Sequence, residues 1–274
     1  MENFFKDARP GKEVTYGSAT FELPILYQRD DFFGLYFTAD AKKVAAILPT
    51  DKLHPVVLPN GRAVYAICAY NYINTTIGTY GEVAAAIPVI YGKKPVTGMF
   101  PALLESYYPG FGALVHHLPV TKAEARDAGR GEWGYTKFIA DMHFNIKTDH
   151  LECLMREENQ HILDLHIAKK GLFITDKKPL ITYSVKENKL IKTIIPQKGM
   201  RRFSINPKDS YVRLGNHPMA QSIKELDISE KPFLSFYYPE RSAILPSGKV
   251  IDSNVKAFEG YMGKNRAAQH TIDY

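Results

Sequence analysis

Cysteine is scarce in this chain: two among 274 residues, Cys68 and Cys153. Each lies in an apolar, strand-like run, and neither has a second cysteine at metal-ligand spacing, which argues against a structural zinc site. One disulfide is arithmetically open, but two buried free thiols in a reducing compartment are the expectation. Long apolar runs are missing too. No stretch approaches the roughly 18 uninterrupted apolar residues of a membrane helix, and Met1 to Ser18 is polar and charged, without the apolar segment of a signal peptide. A cytoplasmic location is expected. The chain also lacks a Gly-rich phosphate loop after a strand, a serine nucleophile elbow and a dinucleotide fingerprint. No internal repeat and no spacer rich in Gly, Pro or Ser divides it.

Charge of one sign is not concentrated anywhere. The net charge is +6 and the pI near 9.0, but the densest basic groups are only pairs: Lys42-Lys43, Lys93-Lys94, Lys177-Lys178 and Arg201-Arg202. Nucleic-acid binding calls for a basic stripe within a recognisable module, and neither is present. A mild positive surplus fits a solvated surface with weak attraction for acidic metabolites. No nucleic acid, membrane, metal or cofactor is therefore expected as a partner.

What remains is dominated by strand signals. Thr20–Leu26 and Phe32–Phe37 are apolar and aromatic, with Gln28-Arg29-Asp30-Asp31 read as a polar turn between them. Asn60-Gly61 predicts a hairpin between Val56–Leu58 and Val64–Tyr72. Glu82–Tyr91 is again extended, and Pro88 within it predicts an edge position or a bulge. From Thr136 to Phe203 the pattern is a meander, with hairpin turns at Glu157-Glu158-Asn159 and Glu187-Asn188. Short helices are expected from Asp40, from Thr121 to about Ala128 with Thr121 and Glu124 as a capping box, and over Met219–Leu226, followed by a strand at Phe233–Tyr238. Many short strands with few small helices predict a mainly β (α+β) domain, a closed barrel or sandwich with helical additions. The expected organisation is an extension over residues 1–18, one domain over 19–246 and a tail over 247–274.

Three segments together resemble one known family. Tyr80-Gly81-Glu82 with Ile87-Pro88-Val89 is similar to the Tyr-x-Glu and Ile-Pro-Val strand of the acetoacetate decarboxylase superfamily. Gly129 to Phe138, containing Trp133-Gly134-Tyr135-Thr136-Lys137, is similar to its Leu-Gly-Tyr-Pro-Lys segment. The stretch from Arg213-Leu214 to Glu240 resembles its closing helix and strand, and Arg29 matches a family arginine. The resemblance runs from about Thr20 to Leu245. It implies a closed β-barrel with appended helices around a buried pocket, commonly assembled into homo-oligomers.

Acetoacetate decarboxylase works through a lysine whose neutral amine condenses with a ketone, giving an iminium that accepts the electrons left by departing carbon dioxide. In the family, two adjacent lysines precede the Leu-Gly-Tyr-Pro-Lys segment. Aligned without a gap, those positions hold Gly131 and Glu132, and Lys137 falls on an additional family lysine. The reading is then an enzyme without the Schiff-base lysine, acting on a small oxo acid or related carbonyl compound by acid–base chemistry of the lyase, hydratase or enolisation type. Its catalytic candidates are Glu82, Arg29 and Glu132. Glu82 lies in an apolar setting that favours pairing with Arg29. Tyr80, Trp133 and His117 are candidates for lining the pocket. His116 and His117 are adjacent and point to opposite faces of a strand, so they cannot share a metal. A non-catalytic binding barrel, or a decarboxylase using another lysine such as Lys122, are the alternatives.

Overall fold

A computed structural model of the chain describes residues 4–9, 11–95, 98, 100–258 and 260–264. The chain opens with β1 (Lys12–Tyr16), β2 (Ala19–Leu23) and β3 (Ile25–Ala39), then α1 (Ala41–Ala46), β4 (Leu53–Pro55), β5 (Ala63–Thr75) and β6 (Tyr80–Tyr91). Helix α2 (Phe100–Leu104) and a single 3-10 turn (Glu105–Tyr107) lead into β7 (Phe111–His117) and α3 (Ala123–Trp133). There follow β8 (Asp141–Ile146), β9 (His150–Glu157), β10 (Gln160–Ala168), β11 (Leu172–Asp176), β12 (Leu180–Lys186), β13 (Lys189–Ile195), β14 (Gln197–Ile205) and β15 (Tyr211–Leu214). Helix α4 (Pro218–Glu225), β16 (Leu234–Leu245) and β17 (Lys249–Ser253) complete the described elements.

Among the described residues the expected closed barrel does not form. The large sheet runs β11-β14-β16-β3-β5-β6-β7-β12-β13-β17 and keeps two free edges, at β11 and β17. It curls strongly, and its two arms are joined by the chain itself, which passes from β13 into β14 through Pro196 rather than through a closing ladder. A second sheet, β15-β10-β9-β8, covers one face, and the β1-β2 hairpin packs near α3. The first of these hairpin strands lies within the expected N-terminal extension.

Both faces of the large sheet are buried along most of β5 and β6, which explains the apolar runs there. Along β5, Tyr65, Ile67 and Ala69 enter the core against the second sheet, while Ala66, Cys68, Tyr70 and Tyr72 face the inside of the curl. Along β6 the same alternation sends Val83, Ala85, Ile87 and Val89 to the core and Glu82, Ala84, Ala86 and Pro88 inward. Alanine at successive inward positions leaves the concave face unfilled, and that space is the cavity.

The hairpins follow the sequence. Gly61 turns at φ 79°, Glu158 at 51°, and Glu187 and Asn188 at 49° and 57°, the left-handed values that tight hairpins need. Pro88 is a correction: it lies in a central strand. It sits where β5 ends its pairing with β6 at Ala86 and β4 begins at Val89, so no partner requires the missing N–H there. The polar run Gln28–Asp31 is a correction as well, because β3 passes straight through it with a bulge. Helix α3 starts after Lys122 and continues past Gly129 to Gly134, where φ is 68°; Thr121 instead accepts a hydrogen bond from the Gly81 amide through its hydroxyl. Part of the expected tail is structured: β17 pairs with β13, and Val255 and Tyr261 pack on the domain. The remainder of that tail from residue 265 lies outside the described residues. No helix among the described residues is long and apolar enough to cross a membrane.

Candidate active site

The inner cavity measures about 150 Å³, space for a molecule about the size of benzene. Aromatic side chains dominate its wall: Tyr27, Phe32, Tyr70, Tyr72, Phe236 and Tyr238. Phe32 stacks on Tyr70 at 4.2 Å, and Tyr70 stacks on Tyr72 at 5.5 Å.

Within this apolar lining stands an ion pair. The Lys137 ammonium donates to Glu82 Oε2 at 2.6 Å, with the two side chains 6% and 8% exposed. Tyr72 donates its hydroxyl to the other carboxylate oxygen, Oε1, at 3.0 Å. Burial first, and the Glu82 charge second, hold the Tyr72 phenol well above its ordinary pKa, so it remains a donor. Tyr80 stands behind this group: its hydroxyl pairs with Tyr27 at 2.9 Å, and its ring lies 5.8 Å from Lys137 Nζ.

Local structure explains why Lys137 reaches Glu82. Gly134 ends α3 in the left-handed conformation, its N–H bonding the Arg130 carbonyl while the Tyr135 N–H bonds that of Gly129. The chain then runs extended beside residues 118–120, and Val120 bridges Glu82 on one side and Ile139 on the other. Alternation turns Lys137 inward and Phe138 outward onto His217 and Tyr261. Arg130 Nε donates to the Lys137 carbonyl at 2.7 Å and fixes the backbone. Gly129 makes room for the side chain, since a Cβ there would lie 2.3 Å from Lys137 Cε. Gly129→Ala is therefore expected to cost about 1–3 kcal/mol of stability and to push Lys137 off Glu82; urea unfolding and a crystal structure of the variant would check both.

A second charged pair closes the wall. Arg241 grips Asp30 through Nε at 2.9 Å and a terminal nitrogen at 2.8 Å, and donates to Gln197 at 3.0 Å. Its guanidinium also lies over the rings of Phe32 and Tyr70, at 4.5 and 5.1 Å. Burial opposes its charge, but the Asp30 carboxylate more than restores it and holds Arg241 above the ordinary arginine range.

Of the candidates from sequence, the structure brings Glu82 to the cavity and places Tyr80 behind it. Arg29 is exposed: the alternation breaks at Gln28 and Arg29 and resumes in the opposite phase, so Asp30 and Phe32 point inward instead. Glu132 is on the outer side of α3, accepting from Tyr16 at 2.8 Å. Gly131 lies under the Tyr16 ring. Trp133 is core, stacked between Phe21 and Tyr135 and donating to the Pro246 carbonyl at 2.9 Å. Sequence reasoning missed Arg241, Asp30 and Tyr72, and named Lys137 only as an additional family lysine. The expectation was the absence of a Schiff-base lysine, with Lys137 matched to that additional one; the structure places Lys137 in the cavity lining.

His117 lies away from the cavity. Its Nδ1 accepts from the Tyr261 amide at 3.2 Å, so the neutral ring carries its proton on Nε2, 2.8 Å from Ser222 Oγ. His116 contacts the Tyr65 hydroxyl at 2.9 Å. Burial pushes His116 down to about 4, and His117 well below its ordinary value. A depressed folded-state pKa gives stability that is complete above the unfolded value and lost as pH falls through the folded one. Melting temperature is expected to drop between about pH 6.5 and pH 4 and to drop less in His116→Gln. His116 contributes roughly 3 kcal/mol across that window.

Both cysteines are free and buried; Cys68 lines the cavity, and burial raises its thiol to about 12. Among the described residues no cluster of three or more His, Cys, Asp or Glu side chains is arranged to hold a metal ion.

The model of the family "Acetoacetate decarboxylase (ADC)" matches residues 13–236. The fold is similar to the crystal structure of acetoacetate decarboxylase from Legionella pneumophila subsp. pneumophila str. Philadelphia 1, at TM-score 0.64 and 19% identity over 92% of this chain and 94% of that one. It is also similar to an acetoacetate decarboxylase-like enzyme from Sphingomonas wittichii RW1, at 0.58 and 11% over 84% and 93%. A third similar structure is the enduracididine biosynthesis enzyme MppR complexed with pyruvate, at 0.58 and 9% over 89% and 99%. No curated protein matches the chain.

Proposed function

The chain belongs to the acetoacetate decarboxylase family, and from that premise we propose that it is an enzyme acting on a small oxo acid through a Schiff base at Lys137. The observation that carries this reading is the Lys137–Glu82 pair in the apolar cavity. An amine must shed its proton to attack a carbonyl, and Glu82, at hydrogen-bond distance, is placed to take it. The amine then adds to the ketone carbon and water leaves, forming an iminium. In a β-oxo acid the carbon–carbon bond to the carboxylate breaks, its electrons pass to the iminium nitrogen, and carbon dioxide departs. The proton that Glu82 took from the lysine departs with the water lost on iminium formation, so Glu82 takes up a proton from solvent and gives it to the resulting enamine carbon. A second water hydrolyses the iminium to release the ketone product and the free lysine.

Tyr72 holds Glu82 in place and offsets its charge between these steps. Arg241, part of the wall, supplies the fixed positive charge suited to a substrate carboxylate. The acid–base chemistry expected from sequence is retained in Glu82, while Glu132 has no part in it. The MppR structure holds pyruvate, an oxo acid, which supports the substrate class.

Deuterium exchange at the α-carbons of a simple ketone in heavy water, followed by proton NMR, tests this reading without knowledge of the natural substrate. Iminium formation acidifies those protons, so exchange dependent on Lys137 is the expected result. A rate equal to that of buffer alone contradicts it. Assembly is part of the same proposal: Phe100 and Tyr107 expose 73% and 65% of their surface on one short segment, a feature suited to a homo-oligomeric contact. Light scattering is expected to give a multiple of 31.0 kDa.

A further inference from the structure

A second set of charges lies along the cavity wall, apart from Lys137 and Arg241. Arg201 on β14, Lys178 after β11, and Glu105 and Ser106 on the 3-10 turn all contribute to the lining. The Glu105 carboxylate bridges the two cations, accepting from Arg201 at 2.9 Å through Oε1 and from Lys178 at 3.2 Å through Oε2.

Asp176 is already committed: its Oδ1 accepts from the Lys178 amide at 2.9 Å and its Oδ2 from the Tyr238 hydroxyl at 2.6 Å. It meets Arg201 Nε only at 3.4 Å, and that buried N–H makes no hydrogen bond. The Ser106 hydroxyl is likewise buried without a partner. Buried polar groups are ordinarily satisfied, so two unmatched donors beside a carboxylate-bridged cation pair mark a place shaped for more acceptor oxygens than it holds.

Glu105 itself is an awkward occupant. Its φ of 49° is left-handed, which for a residue with a Cβ costs about 1–2 kcal/mol. Arg201 is on β14 and Lys178 in the short link between β11 and β12, whereas Glu105 comes from a turn whose neighbours Phe100, Leu103 and Tyr107 are largely exposed. A segment with little buried apolar contact shifts at low cost.

We propose that Arg201, Lys178 and Ser106 form a second anion subsite in the cavity, that Glu105 fills it as an internal counter-ion, and that the substrate is an oxo acid bearing a second carboxylate remote from its reacting carbonyl. The proposal rests on the Lys137 reading for the reacting end and adds the chemistry of the other end. On binding, the substrate's far carboxylate replaces that of Glu105 between the same two cations, and the turn moves outward. With Asp176 already beside Arg201, a further carboxylate added to that of Glu105 would outnumber the two cations in a poorly screened setting, so the substrate's takes the place of Glu105.

The test compares α-oxo and β-oxo acids in pairs of equal length, with and without a terminal carboxylate, by kcat/KM. The wild type is expected to prefer the dicarboxylic member by about tenfold or more. Arg201→Gln collapses that ratio toward unity, Arg201→Lys keeps a large part of it, and Glu105→Gln increases it by removing the resident competitor. Equal use of both members by the wild type overturns the proposal, as does Arg201→Gln lowering both acids by the same factor. Calorimetric titration with the saturated, carbonyl-free dicarboxylate separates the two claims. Saturable binding lost in Arg201→Gln supports the subsite even where no acid turns over, and absence of such binding refutes it whatever Lys137 does.

Discussion

Replacing Lys137 by methionine is expected to reduce turnover of any oxo acid substrate by on the order of 10⁴-fold or more, the scale of losing a covalent nucleophile. The same change leaves Glu82 buried without its cation, a situation that costs about 3–5 kcal/mol. Loss of activity and loss of stability would therefore arrive together and be confused. The double variant Lys137→Met/Glu82→Gln separates them. With both charges gone, much of the stability should return, since two neutral groups of similar shape no longer need each other, while activity stays absent. Urea denaturation beside a turnover assay makes the comparison. Activity surviving in either variant would assign the chemistry to other residues.

The second large effect belongs to Asp30 and Arg241. Both are almost wholly buried, and breaking such a pair from one side strands the other charge. Asp30→Ala is expected to cost about 3–5 kcal/mol, seen as a fall in melting temperature of about 10 °C. The pair also joins β3 to β16 at the bulge, where ladder pairing is irregular. Restoring charge balance with Asp30→Asn/Arg241→Met should recover part of the stability but remove the fixed positive charge from the cavity wall. KM for an oxo acid is then expected to rise more than kcat falls, if Arg241 holds the substrate carboxylate.

How much of this was legible in the sequence varies from residue to residue. Glu82 was: a carboxylate among Ala, Val and Ile, with period-two alternation, has to face either solvent or a polar partner. The hairpins were too, because Asn60-Gly61 and Glu187-Asn188 specify left-handed turns locally. Arg29 was misplaced because one bulge reverses which residues face inward, and the run Gln28–Asp31 carries no signal of its own that distinguishes a bulge from a turn. Arg241 carries no signal like that of Glu82, because in its strand it stands between Glu240 and Ser242, beyond the expected strand end at Tyr238.

The reading of the lysine depends on the register chosen for one segment. The ungapped alignment set the family's lysine pair on Gly131 and Glu132, six residues before Lys137. A register six residues later sets the first lysine of the pair on Lys137 and the second on Phe138. The first register keeps the glycine, tyrosine and lysine of the Leu-Gly-Tyr-Pro-Lys segment at Gly134, Tyr135 and Lys137, whereas the second moves them to Ala140, Asp141 and His143. In the structure Gly131 and Glu132 pack against Tyr16 outside the cavity, and Lys137 lines it. In the later register a phenylalanine replaces the second lysine. The adjacent cation that would help to deprotonate the amine is then absent from the sequence neighbour, and under the proposed mechanism that task would fall to Glu82. The barrel expectation went wrong at the same level, because whether a curled sheet closes depends on pairing between distant strands, and here β11 and β17 remain free edges.

One measurement bears most directly on the chemistry at Lys137. The full-length protein is incubated with a β-oxo acid or a simple ketone, reduced with borohydride and analysed by peptide mass mapping. The account predicts a single covalent adduct on the peptide containing Lys137, absent from Lys137→Met and formed at least in part by Glu82→Gln. No adduct, or an adduct confined to another lysine such as Lys122 or Lys178, would contradict it.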